Sequence, residues 1–226
     1  MSLYIMLFLI LSVFLYAENH LNEDLMPRAE AGDPDAQYQL GTYHLKKMEY
    51  KDARYWYNRA AEQSDPRAMN NLGVIYEDGL GIEPNSSEAF RWYKRAAEQN
   101  YATAQNNVGV MFYYGEGVGQ DYLEAYTWYL KAANQGYTEA QKNIGELFRL
   151  GEGVKQDAVE AVRWFLLAAE KNNWEAQMYL GDMFAIGEGT ALDYEQAHKW
   201  YLLALENEDC EDKELVMNKL SAIKEK

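Results

Sequence analysis

Ala104-Gln105-Asn106-Asn107-Val108-Gly109, then Gly115-Glu116-Gly117-Val118, then Asp121-Tyr122-Leu123-Glu124-Ala125 and finally Trp128-Tyr129-Leu130-Lys131-Ala132-Ala133-Asn134-Gln135-Gly136 are the stretches that decide the fold. Their content returns at a fixed interval. Trp56, Trp92, Trp128, Trp164 and Trp200 lie 36 residues apart, each followed by Tyr except Trp164, which precedes Phe165. Gly73, Gly109, Gly145 and Gly181 keep the same interval, whereas Gly41 precedes Gly73 by 32, so the first unit is shorter by four residues. Those residues fall in a loop: Gly79-Leu80-Gly81, Gly115-Glu116-Gly117, Gly151-Glu152-Gly153 and Gly187-Glu188-Gly189 stand where the first unit reads His44-Leu45-Lys46-Lys47. A period of this length marks stacked supersecondary units rather than an ordinary globular domain.

Start and stop signals divide each unit into two helices. The first begins near Ala36, Ala68, Ala104, Ala140 and Ala176, with Asp33-Pro34 and Asp65-Pro66 supplying an N-cap and a first-turn proline in the first two. The Gly-x-Gly loop ends it. The second opens on Asn85, Asp121, Asp157 or Asp193, followed three residues later by Glu88, Glu124, Glu160 or Gln196, the pattern of a capping box. It stops near Gly32, Ser64, Asn100, Gly136 and Asn172, mostly residues that tolerate left-handed backbone. Ala125, Trp128, Tyr129, Ala132 and Ala133 recur at helical spacing and form the packing face. The expected architecture is all-α, a right-handed superhelical solenoid of helix pairs, each pair buried by its neighbours. Both ends read as caps: residues 21–31 as a degraded second helix interrupted by Pro27, and 211–224 as an amphipathic segment with Leu215, Val216, Leu220 and Ile223.

With these motifs the sequence resembles the Sel-one-like repeat family, relatives of the tetratricopeptide repeats, over about residues 35–207 in five copies (35–67, 68–103, 104–139, 140–175 and 176–207). The resemblance implies a non-catalytic, protein-binding solenoid, often of the bacterial envelope. By resemblance to tetratricopeptide repeats, the concave face holds Arg67, Asn70, Val74, Glu77 and Asp78, then Thr103, Asn106, Val110, Tyr113 and Tyr114. The next two repeats add Glu139, Lys142, Glu146, Arg149 and Leu150, then Glu175, Met178, Asp182 and Ile186. Asn70 and Asn106 share one equivalent position, where an amide bonds either a partner's backbone or the neighbouring helix. Tyr113 and Tyr114 are the preferred anchors, each combining a large contact area with a polar tip.

The chain's 226 residues carry 21 Lys+Arg against 36 Asp+Glu, a formal charge of −15, which argues against nucleic acid as the main partner. A basic or mixed-charge protein surface fits that balance. The single cysteine, Cys210, excludes an internal disulfide, and no Cys or His cluster has metal-ligand spacing. His20, His44 and His198 have no Cys or carboxylate partner at a recurring catalytic spacing, and no nucleophile motif of the G-x-S-x-G kind occurs. No catalytic residue, cofactor or metal is therefore expected. The Gly-x-Gly loops follow helices and carry acidic residues, which suits loop geometry better than phosphate binding. The tryptophans at strict repeat positions read as core. Trp174, whose equivalents are Pro66, Ala102 and Thr138, is either an exposed binding aromatic or local packing.

Leu3 to Ala17 is an uncharged apolar run, about 22 Å long as a helix and short of the ~30 Å hydrocarbon layer. It reads as a signal peptide over residues 1–17 with cleavage after Ala17, the alternative being an uncleaved anchor. Residues 18–34 then form the N-terminal cap and 208–226 the C-terminal helix and tail. The expected protein is a periplasmic monomer, or one anchored in the inner membrane, holding one protein in its groove. The sharpest form of this expectation, taken from the family resemblance, is an immunity protein that neutralises a secreted toxin such as a lipase. An envelope scaffold, a signalling regulator and a peptidoglycan- or glycan-binding protein are the alternatives.

Overall fold

The computed structural model describes residues 24–224, and every regular element among them is an α-helix. The expected signal peptide and His20 lie outside the described residues. The chain divides into two compact units between Gln99 and Asn100.

In the first unit, helix α1 covers residues 24–30. It is followed by α2 (Pro34–Lys46), α3 (Tyr50–Glu62), α4 (Pro66–Asp78) and α5 (Ser86–Glu98). Pro27 does not interrupt α1, which continues to residue 30. Leu25 and Ala29 of α1 are buried against Ala36, Leu40 and Trp56. Asp33 and Asp65 cap α2 and α4 through side-chain bonds to the first-turn amides, with the proline at the first helical position. These helices begin two residues before the alanines named as their starts, since the cap and not the first apolar residue sets the boundary. The shorter linker of the first repeat is residues 47–49. It turns through Met48, whose φ of 60° does the work done elsewhere by glycine.

The second unit contains α6 (Ala102–Tyr114), α7 (Tyr122–Asn134), α8 (Thr138–Leu150) and α9 (Ala158–Ala169). It continues with α10 (Trp174–Ile186), α11 (Tyr194–Glu206) and α12 (Lys213–Lys224). Asp121, Asp157 and Asp193 cap α7, α9 and α11 as expected. Only half of the capping box forms. The N–H of each cap donates to a carbonyl of the preceding helix, Asp121 to Phe112, Asp157 to Phe148 and Asp193 to Phe184, at 2.9 Å each. The third-residue glutamate is thereby released, and Glu160 pairs with Arg163 instead. The helix-stop residues Ser64, Asn100, Gly136 and Asn172 all have positive φ.

In each full-length repeat two glycines stand at the close contacts. A β-carbon on Gly145 would stand 2.6 Å from the Phe165 ring, and one on Gly181 would stand 2.5 Å from Tyr201. The two helices of a pair therefore meet glycine to ring, and the ring is the residue after each tryptophan. Tyr57, Tyr93, Tyr129, Phe165 and Tyr201 are all buried. The tryptophan ladder is less uniform than expected: Trp56 and Trp128 are buried, whereas Trp92, Trp164 and Trp200 are half-buried. One step along a helix turns the side chain by about 100°, which takes the tryptophan off the line to the glycine and toward the flank. There Arg59, Arg95 and Lys131, three residues on, cover the rings of Trp56, Trp92 and Trp128, Lys131 at 3.5 Å from the centroid.

The second glycine of each Gly-x-Gly loop meets the preceding repeat. A β-carbon on Gly153 would lie 2.4 Å from the Tyr122 backbone, and one on Gly189 would lie 2.2 Å from the Ala158 carbonyl oxygen. Loop geometry thus accounts for these glycines, as expected. A buried glutamine adds a further tie between successive pairs: Gln141 and Gln177 donate from Nε2 to the Ala133 and Ala169 carbonyls. At the end of the second unit α12 buries Val216, Leu220 and Ile223 against Ala197, Tyr201 and Ala204. Leu215, grouped with them on the sequence pattern, is exposed instead.

Candidate functional site

The first helices of the repeats carry the residues expected on the binding face, and many of them are engaged within the protein. In the first unit Arg67 pairs with Asp65 and Asp35 at 2.6 and 2.9 Å and lies over the Tyr38 ring. Glu77 accepts the Tyr93 hydroxyl at 2.6 Å. Asn70 is buried, Val74 is half-buried and Asp78 is exposed.

In the second unit α6 and α8 enclose a cavity of about 250 Å³. Asn106, Val110, Tyr113, Tyr114, Glu139, Lys142 and Glu146 line it, seven of the residues expected from the repeat positions. Tyr129 and Asn143 complete the lining; the position rule missed Tyr129 because it belongs to a second helix, and Asn143 because it lies outside the offsets used. Asn106 is buried and accepts a hydrogen bond from the Asn143 amide at 3.1 Å, so this amide serves the neighbouring helix. Tyr113 donates to Glu152 at 2.7 Å, and its ring meets those of Tyr114 and Tyr122 edge-on. Burial and the Glu152 carboxylate together hold the Tyr113 phenol well above its ordinary range.

Lys142 is the most enclosed cation of the site. Glu175 at 3.2 Å, Glu139 at 3.7 Å and Glu146 at 3.9 Å surround it. Burial alone would lower its pKa, but Glu175, Glu146 and Glu139 outweigh that and hold it above the ordinary value. Glu139 also accepts the Asn173 amide, and Glu146 the Tyr179 hydroxyl.

A second cavity, about 370 Å³, lies among α8, α10, α11 and α12. Asp182 on its wall holds Lys219 at 2.8 Å and accepts the Tyr201 hydroxyl at 2.7 Å, fixing α12 in place. Arg149 lines the same cavity with its guanidinium over the Tyr179 ring, 5.3 Å from the centroid, and its Nε buried without a hydrogen-bond partner. Met178 is buried in the cluster under α12. Trp174, half-buried at the start of α10, packs against that cluster.

Three exposed side chains run along this face. Tyr114, Leu150 and Ile186 occupy one equivalent position at the ends of α6, α8 and α10, and they are 64, 44 and 65 % exposed. In the first unit that position holds Asp78.

The Sel1 repeat pattern matches residues 34–65, 66–101, 102–137, 138–173 and 174–209. The chain belongs to the Sel1 repeat family. A Sel1 repeat protein from Oxalobacter formigenes has 35 % identity and a TM-score of 0.82, over 95 % of this chain and 86 % of that one. A protective antigen of uropathogenic Escherichia coli that displays this fold has 26 % identity and a TM-score of 0.71. The match covers 89 % of this chain and 51 % of that one, so the chain spans about half the antigen's length. With its paired helices the chain is thus an α-solenoid of the Sel1 type, a scaffold suited to protein–protein interaction.

Among the described residues one group has the makings of a metal site: His44, Glu49 and Asp52, whose ligand atoms lie within 4.8 Å of one another. His44 was expected to have no carboxylate partner at a catalytic spacing. The short first linker brings Glu49 to 2.6 Å from its Nδ1, so the ring is occupied by a local hydrogen bond. No helix among the described residues is long and apolar enough to cross a membrane.

Proposed function

We propose that this Sel1 repeat protein binds one protein partner, without chemistry of its own, along the face of the second unit carrying Tyr114, Leu150 and Ile186. The observation that carries the reading is their shared position: three large side chains, aromatic or aliphatic, exposed in successive repeats. A large exposed apolar surface rimmed by polar groups is the usual mark of a protein contact. The two cavities lined by Tyr114 and Ile186 carry the carboxylates Glu139, Glu146, Asp182 and Glu188 against the cations Lys142, Arg149 and Lys219, which supports a basic or mixed-charge partner. The apolar run from Leu3 to Ala17 supports an exported location.

Affinity capture of the full chain in its own envelope extract, followed by purification of what binds, tests this. The purified partner should lose at least about tenfold in affinity to Tyr114→Ala combined with Ile186→Asp, the scale of losing one or two contact residues worth more than ~1 kcal/mol each. Unchanged affinity with unchanged circular dichroism overturns the reading. A secreted lipase-like toxin as the partner would make the protein an inhibitor, and an envelope component would make it a scaffold.

A further inference from the structure

We propose that the cavity between α6 and α8 receives a single basic side chain, arginine or lysine, presented by the protein partner. The inference rests on the docking reading above and names what the docked surface must offer at this point.

Three observations carry it. The lining combines three tyrosine rings, Tyr113, Tyr114 and Tyr129, with the carboxylates of Glu139 and Glu146. Aromatic rings beside carboxylates attract a cation both through their quadrupoles and through direct charge.

The charge of the site is also unbalanced. Lys142 faces three carboxylates, Glu139, Glu146 and Glu175, and no other cation among the described residues pairs with any of them. Two negative charges therefore remain for one further cation, and an anionic ligand is repelled.

Finally, the site holds an unused polar group. Tyr57, Tyr93 and Tyr201 each donate their hydroxyl to a first-helix partner, Thr42, Glu77 and Asp182 respectively. In the repeat of Tyr129, Val110 stands where Thr42 and Asp182 stand in theirs and has no polar group, and Tyr113, equivalent to Glu77, donates its own proton to Glu152. The Tyr129 hydroxyl consequently has no hydrogen-bond partner among the described residues, although the residue is only 3 % exposed and lines the cavity. Its oxygen is free to accept from a guanidinium or ammonium.

The protein contains its own version of such an arrangement one repeat further on. Arg149, equivalent to Tyr113, lays its guanidinium over Tyr179, whose hydroxyl bonds Glu146.

The experiment titrates the full chain with N-acetyl-arginine amide, N-acetyl-lysine amide and the uncharged isostere N-acetyl-citrulline amide, reading tyrosine ring resonances. The charged amides should bind with a Kd on the order of 1 mM, shifting Tyr113, Tyr114 and Tyr129 signals, and citrulline at least about tenfold more weakly. Glu146→Gln should weaken arginine binding about tenfold and Tyr129→Phe several-fold, with circular dichroism and urea midpoints confirming that each variant folds. Equal binding of citrulline, or unchanged arginine affinity in both folded variants, overturns the proposal. So does the lack of any saturable shift at about ten times the expected Kd. If a purified partner is lost with Tyr114→Ala and Ile186→Asp but retained at full affinity by Glu146→Gln, the docking reading stands and the basic-side-chain assignment fails. If the amides bind as expected while the partner ignores the Tyr114 and Ile186 changes, the cavity binds a cation, but the docking reading fails and with it the assignment of that cation to the partner.

Discussion

The Tyr129 ring lies 2.5 Å from the point where a β-carbon on Gly109 would stand. Such a separation leaves no room for a methyl group, so the pairing of α6 with α7 requires glycine at that place. Gly109→Ala sets two effects against each other. Alanine gains about 1 kcal/mol over glycine within a helix, while overpacking a filled core costs roughly 1–3 kcal/mol. The Tyr129 ring is buried and cannot swing aside, which puts the cost at the upper end, so a net loss of up to about 2 kcal/mol is expected. A urea midpoint that falls with no change in slope checks it.

Phe165→Ala should cost about 3–5 kcal/mol, the range for truncating a fully enclosed aromatic. Trp164→Ala, next to it but half-buried, should cost clearly less. Paired denaturation curves decide the order, and the reverse order would return the tryptophan to the centre of the packing.

Legibility in the sequence followed the chemistry of each position. Asp121, Asp157 and Asp193 were readable as caps because a capping side chain acts within its own turn. The tryptophans drew attention as the largest repeated residues, yet the pairing depends on the ring one step further along, set by Gly109, Gly145 and Gly181. The α6/α8 site was legible for Tyr113, Tyr114, Glu139, Lys142 and Glu146, all on first helices. Tyr129 reaches the cavity from the other helix, so no face rule applied to α6 and α8 finds it. The signal was nonetheless present: Tyr113 stands where the preceding repeat has the acceptor Glu77. For Asn106 a bond to the neighbouring helix was one of two readings, but that Glu77 and Asp182 are committed to internal bonds was not readable, because their partners lie on other helices, up to 37 residues away in sequence.

Gly153→Ala should destabilise strongly, since its β-carbon would meet backbone at 2.4 Å and its φ is 69°. Backbone cannot yield as a flexible side chain can, and a loss of about 2 kcal/mol or more is expected. Gly119→Ala is the control. Nothing lies within 4 Å of its β-carbon, and its backbone is not left-handed, so stability should stay level or rise by about 0.4–1 kcal/mol. Thermal melts of the two variants side by side provide the comparison.

Stability should fall at alkaline pH. Burial favours the neutral phenol of Tyr57, Tyr93, Tyr129 and Tyr201 and raises each above the ordinary value. In the unfolded chain these groups ionise near pH 10, so above that pH the native state binds more protons. Their contribution is complete below about pH 10 and is lost as pH rises beyond it. Tyr129→Phe should flatten the decline by up to about 1.4 kcal/mol per pH unit, the equivalent of one proton. Urea midpoints across the alkaline range, recorded with tyrosinate absorbance, measure both effects.

The backward contact of the Gly-x-Gly loops gives the array a direction of growth. Gly153 reaches Tyr122 and Gly189 reaches Ala158, so a full-length repeat carries within itself the means of attachment to whatever similar repeat precedes it. Duplicating or deleting 36 residues in register preserves that attachment, whereas any other length breaks it. The first repeat, turning through Met48 without such a loop, lacks this means of attachment to a repeat before it.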